Sequence, residues 1–403
     1  MKRRIAVVTT SRADYSHLVW PLRELSQRPG VDLRIIAMAA HLSPEFGASL
    51  REIEADGFQV HEKVECLLSS DTDVGMARTI GIATQSLAEA LDRQRPDILL
   101  LIADRYELLA PAVTALALRI PIAHIEGGEI SAGAIDDAVR NAITKLAHVH
   151  FTPTAAARAR VLAMGEESWR VHRVGAPSLD HLRKTSIPSR AEVFHETGLA
   201  VDAETILVAW HPVTLKADTL EETEALFQAV AELLPRFQVV FSFPNADAGS
   251  RSIIRRAEEA MAAGNRGRVI VNLPPEKWFA LLGNARFMLG NSSSGIMEAP
   301  AFRLPVVNVG IRQEGRERAR NIIDVPAEKE AILAGVRQAL DPRWRESLTG
   351  MENPYGDGRA AERIADVLES VPLGETLLFK RALPLDEQGC WRREHEDDPP
   401  RRP

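Results

Sequence analysis

The chain has 403 residues, of which 45% are hydrophobic and 26% charged, a composition ordinary for a globular protein and a length that favours two domains over one. Its net charge of −7, with no basic run in the part expected to fold, disfavours a nucleic-acid partner. No apolar stretch approaches the length of a membrane span, and two distant cysteines, Cys66 and Cys390, indicate neither a disulfide framework nor a metal site.

The N-terminal stretch MKRRIAVVTTSRADY begins like a secretory leader, because two arginines precede an apolar run. That run is only about five residues long, whereas the apolar region of a signal peptide needs roughly 7–15. We therefore expect a cytoplasmic protein without a membrane partner.

Short aliphatic runs, which predict buried parallel strands, alternate with amphipathic segments along the first half of the chain. The predicted strands are residues 4–10, 33–39, 97–104, 121–127 and 149–154. Helical spacing with a charged outer face is found between them, in YSHLVWPLRELSQ, RYELLAPAVTALALR and DDAVRNAITKLA.

The same alternation restarts after a break near residues 175–200. The second series of predicted strands is 205–212, 238–245, 268–273, 286–291 and 305–310. Two such series predict an α/β fold of two doubly wound, Rossmann-like domains that face a central cleft. The expected domains are 1–175 and 176–371, where the last helix (358–371) could pack back on the first domain. The charge- and proline-rich tail, 372–403, predicts disorder.

Polar residues are concentrated where the predicted strands end, which is where open α/β sheets bind their ligands. They are Arg12, Asp104, Arg105, Glu126, Glu129, His211, Asn245 and Asp247. The repetition of this pattern at five strand ends favours a functional site.

Each of these residues also has a plainer explanation. Asp104 could cap the helix that begins near Tyr106. The two glutamates of HIEGGE could be solvated loop acids around a glycine turn, and His124 and His211 could be hydrogen-bonded packing histidines.

The stretch GNSSSGIMEA (290–299) would place serine hydroxyls and backbone N–H groups at a helix start, where the helix dipole favours an anion. A heavily decorated N-cap is the alternative, and the sequence leaves it open. Glu298 on the next turn could reach the hydroxyls of a sugar, and Arg12 and Arg312 could add positive charge for phosphate. Neither a Walker A nor a GxGxxG motif occurs, which disfavours an NAD-dependent enzyme.

A set of motifs resembles the hydrolysing UDP-N-acetylglucosamine 2-epimerases of the sialic-acid and legionaminic-acid pathways. They are TSRADYSHL (10–18), AHLSPEFG (40–47), ADRYE (103–107), HIEGGEISAGAIDDAVRNAITKLAH (124–148), WHPVT (210–214), PNADAGS (244–250), GNSSSGIMEAP (290–300) and IRQEGRERARNI (311–322). The resemblance covers roughly residues 4–325. It implies a GT-B-like fold, a UDP-sugar substrate, no cofactor or metal, and a homodimer or homotetramer.

The resemblance also implies a reaction. UDP is eliminated from UDP-N-acetylglucosamine, and water then adds to the resulting glycal to release N-acetylmannosamine. Carboxylates can take the C2 proton and stabilise the cationic sugar ring. The residues that match the family's catalytic positions are Asp104, Glu126 and Asp136, with Glu129 close by, and His211, which would bind the diphosphate and aid UDP departure. The residues that match UDP-binding positions are Arg12, Ser16, Asn245, Ser292, Ser293, Glu298 and Arg312.

The chain departs from the family pattern at two positions. Ala103 stands where the family usually has glycine, and Asn141 stands where it commonly has histidine. The second departure keeps open a different substrate, UDP-2,4-diacetamido-2,4,6-trideoxyglucose. A GT-B glycosyltransferase and a non-enzymatic UDP-sugar-binding regulator are the alternatives outside the epimerases.

Overall fold

The structure is a computed structural model that describes residues 2–46, 49–68, 72–132, 134–213, 220–242, 250–264, 266–270 and 273–381. The described residues form two compact units. The first contains residues up to 129, residues 136–180 and the chain from 355 onward, and the second contains residues 130–135 and 181–354. The chain therefore passes to the second unit directly after the HIEGGE segment and returns after residue 135. It passes to the second unit again after residue 180 and returns after residue 354.

A parallel sheet forms the centre of the first unit. In the described part of the chain its strands are β1 (Arg3–Thr9), β2 (Val31–Met38), β3 (Val60–Val64), β4 (Ile98–Ile102), β5 (Ile122–Ile125), β6 (Val149–Thr152) and β7 (Val171–Arg173). Their order is β3-β2-β1-β4-β5-β6-β7, so the winding reverses between the neighbours β1 and β4. Ligands of doubly wound sheets bind outside the strand ends at such a reversal.

A second parallel sheet forms the centre of the other unit. Its described strands are β8 (Thr205–Ala209), β9 (Gln238–Ser242), β10 (Gly267–Ile270), β11 (Met288–Gly290), β12 (Val306–Val309) and β13 (Ile322–Val325). The order β10-β9-β8-β11-β12-β13 again reverses at one place, between β8 and β11. The core of this unit includes Phe227, Phe237, Phe241 and Phe287, all almost fully buried.

Helices connect the strands in both units. They are α1 (Arg12–Gln27), α2 (Leu50–Ala55), α3 (Asp73–Gln94), α4 (Leu109–Leu118), α5 (Ile135–Leu146), α6 (Ala155–Ala163), α7 (His181–Lys184), α8 (Arg190–Glu196), α9 (Leu220–Leu233), α10 (Ser250–Gly264), α11 (Pro275–Asn284), α12 (Ser293–Met297), α13 (Lys329–Leu340), α14 (Pro342–Glu346), α15 (Ala360–Ser370) and α16 (Glu375–Leu378). Among the described residues, no helix is both long enough and apolar enough to cross a bilayer.

The predicted α/β architecture of two doubly wound parallel sheets is confirmed. The strands that the sequence did not reveal are β3, β7 and β13, and each lies at the edge of its sheet. An edge strand is covered on fewer sides than a central one, so VHEKV in β3 lacks the aliphatic run that makes ILLLI in β4 recognisable.

The C-terminal part of the described chain belongs to the first unit. The carboxylate of Asp180 accepts hydrogen bonds from the backbone N–H groups of Ala360 (2.9 Å) and Ala361 (2.8 Å) at the start of α15. Residues 372–381, predicted as part of a disordered tail, are folded here and include α16. The buried guanidinium of Arg170 donates to the backbone carbonyls of Thr376 (3.1 Å) and Leu377 (2.8 Å). Composition does not predict that this segment is folded, because the acceptors of the Arg170 hydrogen bonds are backbone carbonyls, which every residue has.

Candidate active site

The start of α1 lies at the reversal point of the first sheet, directly after β1. The buried carboxylate of Asp14 fixes this turn by accepting from the backbone N–H groups of Thr10 and Ser11, both at 2.7 Å. Arg12 and Ser16 follow on the same helix. Arg12 Nε contacts Glu52 Oε2 at 3.0 Å, and Ser16 Oγ donates to a backbone carbonyl of its own helix. Arg12 therefore lies at the strand end where it was expected, and Ser16 lies one turn further along α1.

Asp104 lies at the other side of the same reversal point, two residues beyond β4. The chain turns at Ala103, which has a left-handed φ of +61°, while its N–H donates to the Ile125 carbonyl (3.0 Å). The Asp104 carboxylate accepts a hydrogen bond from Nη2 of Arg140 in α5, whose side chain is 3% exposed. Asp104 is not the N-cap of the following short 3₁₀ helix, because Arg105 occupies that position, and the Arg105 side chain makes no capping hydrogen bond.

His124 in β5 holds the turn that precedes Asp104. Its Nε2 lies 2.8 Å from the Ala103 carbonyl, and its Nδ1 lies 3.2 Å from the Thr144 hydroxyl. A carbonyl only accepts, so Nε2 carries the proton and Nδ1 accepts from Thr144. Burial lowers the pKa of His124 to about 4, which keeps the ring neutral near pH 7. The packing explanation for His124 is therefore the one observed.

The two glutamates of HIEGGE are buried, so the prediction that they could be solvated loop acids is wrong. Glu126 follows β5 directly, has a left-handed φ of +66° and is 7% exposed. Its Oε1 lies 2.8 Å from Nδ1 of His17 in α1. Glu129 is 3% exposed, and its Oε2 accepts a hydrogen bond from the Tyr355 hydroxyl (3.1 Å).

The glycines of HIEGGE pack tightly rather than forming only a surface turn. Gly128 has a φ of +80°, and a Cβ atom there would lie 2.2 Å from the Ala157 carbonyl oxygen. Arg160 of α6 donates to the Gly128 carbonyl at 3.0 Å.

Asp136, the remaining candidate catalytic acid, is half-buried in the first turn of α5. Asn141, one of the departures from the family pattern, donates to Asp137 Oδ2 (3.3 Å), the residue next to Asp136.

The reversal point of the second sheet brings His211 and the serine motif together. Gly290 ends β11 with a φ of +134°, and a Cβ there would lie 2.0 Å from the Ala209 carbonyl oxygen. The buried Asn291 then clamps the backbone of His211, because Oδ1 accepts from its N–H (2.8 Å) and Nδ2 donates to its carbonyl (2.9 Å). Arg312 Nη1 donates to the Asn291 carbonyl at 3.2 Å.

The serine motif forms the helix start that the sequence predicts. Ser292 is the N-cap of the five-residue α12, and its Oγ accepts from the Ser294 N–H at 3.4 Å. Ser293 is the first helical residue. Glu298 Oε2 accepts from the Ser294 hydroxyl (2.6 Å) and from Trp278 Nε1 (3.1 Å). These contacts are those of an ordinary helix N-cap with additional side-chain hydrogen bonds, and they also hold Glu298 in one orientation. Asn245, the remaining predicted UDP-binding residue, lies outside the described residues.

The sequence profile of the family described as UDP-N-acetylglucosamine 2-epimerase matches residues 23–369. The chain belongs to this 2-epimerase family. It is 38% identical over 384 residues to the hydrolysing UDP-N,N'-diacetylbacillosamine 2-epimerase of Legionella pneumophila, an alignment that covers 94% of this chain and 99% of that protein. It is 31% identical over 388 residues to the UDP-N-acetylglucosamine 2-epimerase of Neisseria meningitidis, covering 95% of this chain and 100% of that protein.

Solved 2-epimerase structures share the fold. The crystal structure of UDP-GlcNAc 2-epimerase from Neisseria meningitidis bound to UDP-GlcNAc has a TM-score of 0.77 at 19% identity, covering 91% of this chain and 99% of that one. A UDP-GlcNAc 2-epimerase from Methanocaldococcus jannaschii in complex with UDP-GlcNAc and UDP has a TM-score of 0.75 at 19% identity, with the same coverage. The GT-B-like fold and the family resemblance predicted from the motifs are confirmed.

The sequence of this 2-epimerase does not reveal which basic side chains contact the candidate acids Asp104 and Glu126. Arg140 stands 36 residues from Asp104, and His17 stands 109 residues from Glu126. All four residues lie inside motifs that were recognised, but a pairing across such separations has no local signal. It follows instead from the strand order, which places the ends of β1, β4 and β5 side by side.

Proposed function

We propose that this chain is a hydrolysing 2-epimerase that releases UDP and the free 2-epimer of a UDP-linked 2-acetamido sugar. The observation that carries the proposal is the pair of acids at neighbouring strand ends, Asp104 and Glu126, each in contact with a basic side chain. Membership of the 2-epimerase family supports the same reaction.

The proposed reaction has two stages. In the first, the C2–H bond breaks, its electron pair forms the C1=C2 double bond, and the C1–O bond breaks with its electron pair leaving on UDP. A carboxylate takes the C2 proton, and a second carboxylate stabilises the positive charge that develops on the ring. In the second stage, water adds its hydroxyl group to C1 and a proton returns to C2 with inverted configuration.

We propose that the acids of the first unit perform this chemistry. Asp104 and Glu126 face the reacting sugar, one as base and one as stabiliser of the cation. Glu129 and Asp136 support them. Glu129 is held by Tyr355, and Asp136 lies in the first turn of the helix that carries Arg140, the partner of Asp104.

We propose that UDP is held mainly by the second unit. His211 binds the diphosphate, and the clamp by Asn291 supports this role because it fixes the backbone that carries the imidazole. The other proposed UDP-binding residues are Arg12, Ser16, Asn245, Ser292, Ser293, Glu298 and Arg312. Arg12 would exchange its contact with Glu52 for phosphate, a partner that a guanidinium binds well.

The first substrate to test is UDP-N,N'-diacetylbacillosamine, because the Legionella relative named for it is 38% identical over nearly the whole chain. UDP-N-acetylglucosamine is the second, supported by the Neisseria relative at 31%. Asn141, which donates to Asp137, is a candidate for the residue that determines which of the two sugars is the substrate. A homodimer or homotetramer is part of the proposal and rests on the family resemblance.

The test is incubation of the purified protein with each UDP-sugar, followed by proton NMR. The proposal predicts free UDP and the free 2-epimeric sugar without any acceptor. A glycosyltransferase would require an acceptor, a non-hydrolysing epimerase would yield an intact 2-epimeric UDP-sugar, and a binding regulator would leave both substrates unchanged.

A further inference from the structure

The two acids at the strand ends differ in the chemistry of their partners. Asp104 contacts a guanidinium, and Glu126 contacts an imidazole. A guanidinium stays protonated at every relevant pH, so it stabilises its neighbouring carboxylate as a lasting anion. An imidazole can gain or lose its proton near neutral pH and donates to a carboxylate without being a fixed cation.

These partners suit two different tasks. A carboxylate that steadies a cationic ring works best as a permanent anion, which Arg140 favours at Asp104. A carboxylate that takes the C2 proton must bind that proton and later release it. A fixed cation at hydrogen-bond distance opposes the protonated form more strongly than an imidazole Nδ1–H donor does. Glu126 is therefore the acid of the pair that is better suited to accept a proton.

The geometry around His17 fits a positioning role. It lies one turn along α1 from the capping turn that Asp14 fixes, so its backbone is anchored. Its side chain is 23% exposed and the Glu126 side chain 9%, which places the contact at the border of the buried site. Glu126 itself has a left-handed φ of +66°, a conformation that is costly for a residue with a side chain and that is found repeatedly at active sites.

We propose that His17 is a positioning residue for C2 proton transfer: its Nδ1–H donates to Oε1 of Glu126 and orients Oε2 to take the proton. Asp104, paired with Arg140, remains the anion that stabilises the ring. This inference rests on the proposed function and assigns the two roles that the motifs leave open. The proton moves from C2 to Glu126 Oε2, the electron pair of the C2–H bond forms the C1=C2 double bond, and the electron pair of the C1–O bond leaves with UDP.

The test compares His17→Leu, which removes the donor, with His17→Asn, whose amide can donate from nearly the position of Nδ1. We expect His17→Leu to lower kcat about 100-fold and KM to change less than about threefold, because orientation of a reacting group affects the chemical step. The kinetic isotope effect on kcat, measured with substrate deuterated at C2, should be larger for His17→Leu than for the wild type. His17→Asn should recover kcat at least about tenfold, with an isotope effect near that of the wild type. UDP affinity and thermal unfolding, measured for each variant, show whether it folds.

The matched control is His195→Leu, which removes an exposed histidine of α8 and should leave kcat and the isotope effect unchanged. Our inference is overturned if His17→Leu retains kcat within about threefold of the wild type, or if both His17 variants are equally slow with an unchanged isotope effect. A wild-type protein that releases no UDP from either sugar is a different result. It would overturn the proposed function itself and is seen before any variant is made.

Discussion

Arg140 in α5 donates a hydrogen bond to Asp104 at the end of β4, although 36 residues separate them in the chain. The Arg140 side chain is buried, so the pair is shielded from water and a neutral group in place of either member would leave a charge without its partner. The contact joins the end of β4 to the helix that follows β5, the two neighbouring strands that carry the candidate acids.

Replacement of Asp104 by asparagine tests the catalytic proposal. An amide has nearly the same shape but cannot stabilise a cation, so turnover should fall at least about 1,000-fold. The affinity for UDP, measured by calorimetry, should stay within about threefold of the wild type, because the proposed UDP contacts are other residues. Unchanged turnover in Asp104→Asn would refute the role given to this carboxylate.

Ala103 has a left-handed conformation, which glycine adopts more readily than alanine. Glycine adopts this conformation without the cost of about 1–2 kcal/mol that a Cβ brings, although it loses more entropy on folding. Ala103→Gly should therefore leave the free energy of unfolding unchanged or raise it by up to about 1 kcal/mol. Ala88→Gly on the exposed face of α3 should lower it by about 1 kcal/mol. Equal destabilisation of both variants in urea titrations would argue against the left-handed turn.

Gly290 should tolerate no side chain. Its φ of +134° strains any other residue, and the added Cβ would lie 2.0 Å from the Ala209 carbonyl oxygen, forcing β8 and β11 to shift. We expect Gly290→Ala to lower the free energy of unfolding by about 3 kcal/mol or more. Gly57→Ala separates the two effects, since Gly57 has a φ of +86° but open space around its Cβ position, and it should lose only about 1 kcal/mol. Similar losses in chemical denaturation would contradict the close approach at Gly290.

Two buried histidines predict a loss of stability in mild acid. Burial lowers the pKa of both His124 and His148 to about 4, below the ordinary value of 6.5. The unfolded chain therefore binds protons first as the pH falls, so stability is complete above about pH 6.5 and decreases down to about pH 4, by about 3 kcal/mol for each histidine.

A variant at His148 tests this dependence. His148 Nδ1 accepts a hydrogen bond from the Ile122 N–H at 3.1 Å, and asparagine can supply an acceptor at nearly the same place without titrating. The slope of unfolding free energy against pH between 6.5 and 4 should be smaller in His148→Asn than in the wild type. His195→Asn, at an exposed position, should leave the slope unchanged. Identical slopes in all three proteins would show that buried neutral His148 does not contribute.

The sequence reveals central strands and strand-end residues because both leave local signals. ILLLI is apolar throughout because β4 is covered on both faces, and Asp104 and Glu126 follow such runs directly. Edge strands such as β3 are less buried than β4 and contain no continuous aliphatic run. The contacts of Arg140 and His17 could not be predicted, because pairing across 36 and 109 residues depends on strand order rather than on any local pattern. The same holds for residues 130–135, which leave the first unit between two segments that remain in it.

The most direct test of the central claim is the proton NMR assay of the purified wild-type protein with UDP-N,N'-diacetylbacillosamine and, separately, with UDP-N-acetylglucosamine. We predict that at least one of them yields equal amounts of UDP and a free 2-epimeric sugar, with solvent deuterium incorporated at C2 when the reaction is run in D₂O. Release of an intact 2-epimeric UDP-sugar, or a product that lacks deuterium at C2, would contradict elimination and hydration by this chain.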